Sequence, residues 1–116
     1  ATRCGSMRRD PQTIVQDAIR AAEDIVALLG DMTESQFVED LRTQRAIERS
    51  FEIVGEALAR LARDFPEVAA RIPEHRRVID FRNVLAHGYD VVDPRLVFGL
   101  ARTRLPALLA ALRSAC

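Results

Sequence analysis

Three side chains suited to chemistry on a phosphodiester lie within eight residues of one another, between Arg82 and Tyr89. The guanidinium of Arg82 is permanently charged and can bind two phosphate oxygens with parallel N–H groups. The imidazole of His87 exchanges a proton near neutral pH, so it can act as a general acid or base. Tyr89 adds a phenol beside them. The residue types therefore predict a phosphate-binding or phosphodiester-cleaving site in this segment.

The spacing of Arg82 and His87 does not by itself bring their side chains together. Residues five positions apart point about 140° away from each other on a regular helix. Either the helix loosens before His87, with Gly88 letting the backbone leave the helix, or a second copy of the chain completes the site. A purely structural alternative also stands. In it, Arg82 pairs with Asp80 or Asp90 and His87 caps the helix C-terminus.

Other catalytic chemistries have weaker support in the sequence. Glu48, Glu52 and Glu56 recur every four residues and could suggest a carboxylate metal site, but no Glu-x-x-His pair accompanies them. Arg45 precedes Glu48 and Arg49 precedes Glu52 by three residues, which favours a solvated, salt-bridged helix face. We find no glycine-rich phosphate loop, no Cys/His cluster and no nucleophile obviously paired with a base. The sequence thus predicts no metal site and no cofactor.

The composition predicts a small helical protein. Hydrophobic residues make up 48% of the 116 residues and charged residues 29%, with few Gly and Pro, as in a globular domain with one core. The 17 basic residues are balanced by 17 acidic ones, so contact with RNA or DNA requires a local basic patch or an assembly that concentrates one. His75, the only other histidine, is expected to be a solvated surface residue.

The first six residues of the chain are expected to carry no function. Residues 1–6 are interpreted as an appended tail and Met7 as the native start, so the single domain covers residues 7–116. Cys4 and Cys116 form neither a metal-ligand pattern nor a disulfide framework. With no recognisable secretory signal and no apolar run of about 20 residues, we expect a cytoplasmic protein that does not enter the membrane.

Helix signals divide the chain into four main helices, which predicts an all-α fold: an antiparallel bundle of four to five helices. The predicted elements are a helix from Asp10-Pro11 to Gly30, a short turn after Thr33, a helix over residues 40–64, a short turn between Pro66 and Pro73, a helix over residues 74–86, and a last helix from Asp93-Pro94 that Pro106 kinks. Gly55 either permits close approach of another helix or is simply tolerated. The apolar stripes are wide for so small a bundle, so an apolar face that the bundle leaves uncovered could pair with a second copy of the chain.

The segment Arg82-Asn83-Val84-Leu85-Ala86-His87-Gly88-Tyr89 resembles the signature of the HEPN superfamily, and within it the Arg-x4-His-x-Tyr pattern of HepT-type toxins. Further blocks resemble that family in the same order along the chain: Phe37 to Asp40, Gln44 to Ile47, Val54 to Ala57, Asp93-Pro94 and Leu105-Pro106. The resemblance extends over nearly the whole chain.

The resemblance implies a helical homodimer whose two signature segments line one cleft. It implies a metal-independent endoribonuclease that acts as the toxin of a toxin–antitoxin pair. Arg82 and His87 would be catalytic, Asn83 would support them, and Arg76 and Arg77 could contact the RNA backbone.

The resemblance also implies a regulator. Tyr89 would be modified by AMP transfer from an MntA-type minimal nucleotidyltransferase antitoxin, and it could contact RNA when unmodified. Two alternatives remain open: a non-catalytic helical partner subunit of such a nucleotidyltransferase, and a purely structural dimerisation domain.

Overall fold

The computed structural model describes residues 10–87 and 92–115, and this part of the chain is helical without a strand. The predicted tail 1–6, Met7, both cysteines, Gly88, Tyr89 and Asp90 lie outside the described residues. The elements are α1 (Pro11–Leu29), α2 (Glu34–Val38), α3 (Leu41–Asp64), α4 (Pro66–Ala69), α5 (His75–His87), α6 (Pro94–Gly99), a π-helical turn (Leu100–Arg104) and α7 (Leu105–Ala115). The predicted helical fold class is confirmed, with bounds within a residue or two of those expected.

The helices begin where their capping residues predict. Asp10 accepts a hydrogen bond from the backbone N–H of Thr13 at 2.8 Å, and a proline follows at the first helical position. Thr33 and Gln36 exchange reciprocal bonds of 3.1 and 2.8 Å as a capping box. Asp93 caps α6 through the N–H of Arg95 at 2.9 Å. These bonds satisfy donors that a helix leaves unpaired at its start.

Helix α3 is the central element and packs against both α1 and α5. The residues of its apolar stripe Ile47, Phe51, Val54, Leu58 and Leu61 are all buried. A polar residue also belongs to the core: the amide of Gln44 donates to the carbonyl oxygens of Phe37 and Val38, both at 2.9 Å. This amide thereby ties the end of α2 to the start of α3.

The last helix runs antiparallel to α1. The guanidinium of Arg102 donates to the carbonyl oxygen of Gly30 at 3.0 Å, near the end of α1. Further along, Arg113 forms an ion pair of 2.9 Å with Glu23, which lies earlier in α1. The order of contacts is therefore reversed between the two elements, as the predicted antiparallel packing requires.

The distortion expected at Pro106 takes the form of a π turn just before it. Proline has no N–H and its ring crowds the carbonyl one turn earlier, here that of Arg102. Just before the proline, the N–H of Leu105 donates to the carbonyl of Leu100, five residues back. The helix thus widens over Leu100–Arg104 and resumes as α7.

Helix α5 is the least covered of the long helices. None of its residues is buried, and its apolar side chains Val78, Ile79, Phe81 and Leu85 are only partly covered. The ring of Phe81 meets that of Phe51 on α3 edge-on, with centroids 5.3 Å apart. One side of α5 rests on α3, and the rest of its surface faces outward.

No helix of the described part has both the length and the apolar character needed to cross a membrane.

Candidate functional site

Arg82 projects from α5 onto α3 at Gly55. The Cβ and Cγ atoms of Arg82 occupy the space into which a side chain on Gly55 would extend, and the carbonyl oxygen of Val78 is 3.2 Å from the same point. At Gly55 the side chain of Arg82 therefore lies directly against the backbone of α3. Of the two roles expected for this glycine, the structure supports close approach of a second helix.

The guanidinium of Arg82 is paired with a carboxylate on α3. Its Nη1 atom lies 3.1 Å from Oε1 of Glu56, and the Arg82 side chain is 24% exposed. Its Nε atom is buried and has no hydrogen-bond partner among the described residues. The structural alternative predicted a nearby carboxylate as the partner of Arg82. The observed partner is on α3, whereas Asp80 lies on the exposed side of α5.

A groove lies between α3 and α5 around this ion pair. Its volume is about 380 Å³. The lining residues are Asp17, Arg49, Glu52, Ile53, Glu56, Ala57, Arg60, Arg82 and Ala86. The lining therefore contains both arginine and carboxylate side chains, and Arg82 is the cation that enters the groove from α5.

The regularly spaced glutamates of α3 form the salt-bridged face that the sequence favours. Glu48 pairs with Arg45 at 3.3 Å and Glu52 pairs with Arg49 at 3.1 Å. Glu56 differs from them because it contacts another helix through Arg82. Among the described residues, no group of three or more His, Cys, Asp or Glu side chains is arranged to hold a metal ion.

His87 is the last residue of α5, and the helix reaches it without interruption. The expectation that the helix loosens before His87 is therefore wrong. Arg82 and His87 diverge by about 140° around one helix axis. Arg82 faces α3 and His87 is exposed. One protomer does not bring the two side chains onto the same face.

The exposed side of α5 carries a row of polar residues. Arg76, Asp80, Asn83 and His87 follow one another at intervals of four and three, so they lie within about 60° of each other around the helix. All four are exposed. This row, which we call the outer row, places a cation at one end of α5 and an imidazole at the other.

Arg77 lies apart from the outer row, beside an apolar cavity on the other flank of α5. This cavity has a volume of about 80 Å³. Its apolar lining comes from Phe51, Val78, Phe81, Leu100, Leu105 and Leu108. At its mouth, Glu74 forms ion pairs with Arg77 at 4.0 Å and with Arg104 at 3.4 Å. Arg77 is thus held by an ion pair beside the cavity, whereas Arg76 lies in the exposed outer row.

His75 differs from its expected solvated position. It is half-buried at the start of α5, and its Nδ1 atom lies 2.8 Å from the carbonyl oxygen of Ile72. The connector that precedes it turns back onto the core through the buried Ile72. The ring is therefore held by the connector and lies away from the Arg82 groove.

Sequence reasoning grouped Glu56 with Glu48 and Glu52 on one helix face and did not connect it with Arg82. Nothing in the spacing of positions 56 and 82 predicts that they meet, since their distance depends on how α5 lies across α3. Asn83 directly follows Arg82 in the sequence and lies in the outer row. Tyr89 is outside the described residues.

The fold and the site define a class: an all-helical domain that presents an arginine and a histidine of an Arg-x4-His motif from one exposed helix. The sequence profile of the family described as "Ribonuclease HepT-like" matches residues 16–115. The chain belongs to this HepT-like family of the HEPN superfamily.

Relatives of known name agree with this assignment. "Probable ribonuclease HepT" of Thermococcus cleftensis is 30% identical over 88% of this chain and 92% of its own length. "Putative RNase MJ0127" of Methanocaldococcus jannaschii is 27% identical over 85% of this chain and 81% of its own length. No solved structure gives a significant match.

Proposed function

We propose that this protein is a metal-independent endoribonuclease that acts as the toxin of a toxin–antitoxin pair. The observation that carries the proposal is the placement of Arg82 and His87 on one continuous, exposed helix in a chain of the HepT-like family. Arg82 supplies a guanidinium held in a groove, and His87 supplies an imidazole at the end of that helix. An imidazole can transfer protons and a guanidinium can stabilise phosphoryl charge when an RNA strand is cleaved through its own 2′-hydroxyl.

The proposed reaction is in-line attack of a ribose 2′-oxygen on the adjacent phosphorus. His87 carries out one of the two proton transfers, taking the proton from the 2′-hydroxyl or giving one to the leaving 5′-oxygen, and water carries out the other. Arg82 stabilises the negative charge that develops on the phosphoryl oxygens. The bond from phosphorus to the 5′-oxygen breaks, which leaves a 2′,3′-cyclic phosphate and a 5′-hydroxyl. Because the nucleophile belongs to the ribose, the reaction selects RNA over DNA.

The proposed active site is composite, formed by Arg82 of one protomer and His87 of a second. Within one helix the two side chains diverge, whereas a two-fold axis can bring counterparts from two chains face to face. Val84 on α5 and Ile53 on α3 are large apolar side chains with 57% and 38% of their surface exposed. Burying them against a second copy would remove apolar surface from water. The same axis would bring two Arg82 guanidiniums into one cleft, each beside its own Glu56.

The outer row of α5 is the proposed path of the RNA backbone towards His87. Arg76 lies in this row, about 16 Å from His87 along the axis at 1.5 Å per residue, and is the stronger candidate for a phosphate contact. Arg77 is engaged at the mouth of the apolar cavity and is the weaker one. Asn83, in the same row, would support the reacting segment through its amide.

The proposed off-switch is AMP transfer to Tyr89 by an MntA-type nucleotidyltransferase antitoxin in the cytoplasm. Tyr89 follows His87 by two positions, so a nucleotide attached there would add bulk and negative charge next to the imidazole. RNA would then be excluded sterically and electrostatically. Incubation with ATP and the nucleotidyltransferase should add AMP to the wild-type protein and not to Tyr89→Phe.

The experiment that tests the function is RNA cleavage in the presence of EDTA. Wild-type protein is expected to cleave and to leave cyclic phosphate ends, while Arg82→Ala and His87→Ala lose cleavage and still fold as dimers. His75→Ala is the matched control, because His75 lies on the same helix outside the proposed cleft, and it should retain activity. Full activity of His87→Ala would overturn the catalytic assignment.

The alternative of a non-catalytic partner subunit predicts a different outcome. Wild-type protein would then cleave no RNA at any concentration, yet would bind the nucleotidyltransferase and accept AMP on Tyr89. The cleavage and AMP-transfer assays therefore distinguish the two functions in one set of samples.

A further inference from the structure

Arg82 is oriented by contacts with α3 at more than one point along its side chain. Its Cβ and Cγ atoms lie against Gly55, its Nε atom is buried, and its Nη1 atom is paired with Glu56. With Nε buried and Nη1 facing Glu56, the donors left to meet a ligand on the edge formed by Nη1 and Nη2 are Nη2 and the second N–H of Nη1. Two neighbouring N–H groups of a guanidinium can bind an anion side by side.

Glu56 is placed to hold this orientation. Its Oε1 atom faces Arg82 at 3.1 Å, and its Oε2 atom lies 3.8 Å from Nη2 of Arg60, one turn further along α3. One carboxylate thus lies between two guanidiniums on the rim of the same groove. Its side chain is 53% exposed, and ion pairs so open to water contribute little to stability. Orientation of Arg82 is the effect that remains.

We infer that Glu56 is a positioning residue for Arg82: it fixes the guanidinium so that its Nη edge faces the phosphate of the RNA. The inference rests on the proposed ribonuclease activity. Glu56 itself does not touch the reacting atoms. Its negative charge slightly opposes RNA binding, so its contribution is to the geometry of the transition state.

The opposing effects of charge and geometry give a distinctive kinetic signature. Replacing Glu56 by Gln removes a negative charge from the groove, so KM for RNA should stay the same or fall. A loosened Arg82 should lower kcat by about tenfold to a hundredfold, as misplacement of a catalytic group does. Replacing a residue that only stabilised the fold would change the melting temperature, and it would not lower kcat at an unchanged or lower KM.

The kinetic test compares Glu56→Gln with Glu52→Gln on a short RNA with a single cleavage site. Glu52 lies one turn earlier on α3, lines the same groove and pairs with Arg49, not with Arg82. Glu52→Gln should keep kcat within about twofold of wild type, and Glu56→Asp should recover part of the loss. In an Arg82→Lys background, Glu56→Gln should cause no further loss, because its target is already gone.

A second measurement tests the inference without cleavage. The Nε–H group of Arg82, assigned in the NMR spectrum by its loss in Arg82→Lys, should exchange slowly with water because Nε is buried. Glu56→Gln should speed this exchange by at least about tenfold, and Glu52→Gln should not. If wild-type protein cleaves no RNA, the proposed function fails and this exchange still decides whether Glu56 orients Arg82.

Two results would overturn the inference while leaving the ribonuclease assignment intact. One is a Glu56→Gln protein whose kcat and Arg82 Nε–H exchange equal those of wild type. The other is a Glu56→Gln protein with a raised kcat, which would make Glu56 an inhibitor of Arg82.

Discussion

Arg82 lies so close to Gly55 that the first carbon of any side chain at position 55 would overlap its Cβ atom. The backbone carbonyl of Val78 adjoins the same space at 3.2 Å. A backbone group cannot move aside as the end of a flexible side chain can. The distance between α3 and α5, and with it the position of the guanidinium, therefore depends on the absence of a side chain at this position.

Gly55→Ala should lower stability and activity together. The added methyl group forces α5 away from α3, and overpacking of this kind costs about 1–3 kcal/mol, which exceeds the gain in helix propensity of about 1 kcal/mol. Gly99→Ala is the matched control, since a Cβ there meets no atom within 4 Å and the backbone is already helical. It should be neutral or stabilising in thermal melts. Equal behaviour of the two variants would contradict the close-approach role of Gly55.

Mixing two inactive variants should restore RNA cleavage if the site is composite. In a mixed dimer of Arg82→Ala and His87→Ala, one of the two Arg–His pairs of the cleft survives, with Arg82 from one protomer and His87 from the other. Random exchange makes about half of the dimers mixed. The measurement is cleavage rate against mixing ratio, with each variant alone as control. A mixture as inactive as its components would place both residues of a working pair on one chain.

Arg76→Ala should weaken RNA binding more than Arg77→Ala. Arg76 belongs to the exposed outer row with His87, whereas Arg77 pairs with Glu74 beside the apolar cavity. Losing one phosphate contact should also lower the slope of log K against log salt by about 0.7 for a single strand. Binding to an RNA with 2′-deoxyribose at the cleaved position measures this without turnover. Asp80→Asn should act in the opposite direction, because it removes a negative charge from the same row.

Stability should fall in acid partly because of Asp40. Hydrogen bonds from Thr43, first the backbone N–H at 3.0 Å and then the hydroxyl at 2.8 Å, lower the pKa of the Asp40 carboxyl below its ordinary value of 3.8. A carboxyl group whose pKa is lower in the folded state than in the unfolded state stabilises the protein at pH values above its unfolded-state pKa. This stabilisation is lost as the pH falls through the folded-state pKa.

Melting curves from pH 7 down to about pH 3 test this effect. The advantage of wild type over Asp40→Asn should be constant at neutral pH and shrink below about pH 4. Thr43→Val, which keeps the backbone donor and removes the hydroxyl, should give a smaller change of the same sign. A difference between wild type and Asp40→Asn that does not vary with pH would contradict the assigned cause.

The sequence by itself determined where the helices begin and end. Asp10, Thr33 and Asp93 cap helices through hydrogen bonds to residues two or three positions away. Such contacts need no tertiary structure, so they can be read from the order of the residues. The apolar stripe of α3 is likewise a periodic feature of one helix, and its burial follows from its width.

Only the tertiary structure decided which partner Arg82 has. Asp80, near in sequence, lies on the exposed side of α5, and among three equally spaced glutamates of α3 only Glu56 meets Arg82. That choice depends on the rotation of α5 and its distance from α3, which Gly55 sets. The role of Gln44 and the π turn before Pro106 also depend on packing between elements. Local hydrogen bonds and periodicity are fixed by neighbouring residues, whereas the geometry of the site is fixed by how two separate helices pack.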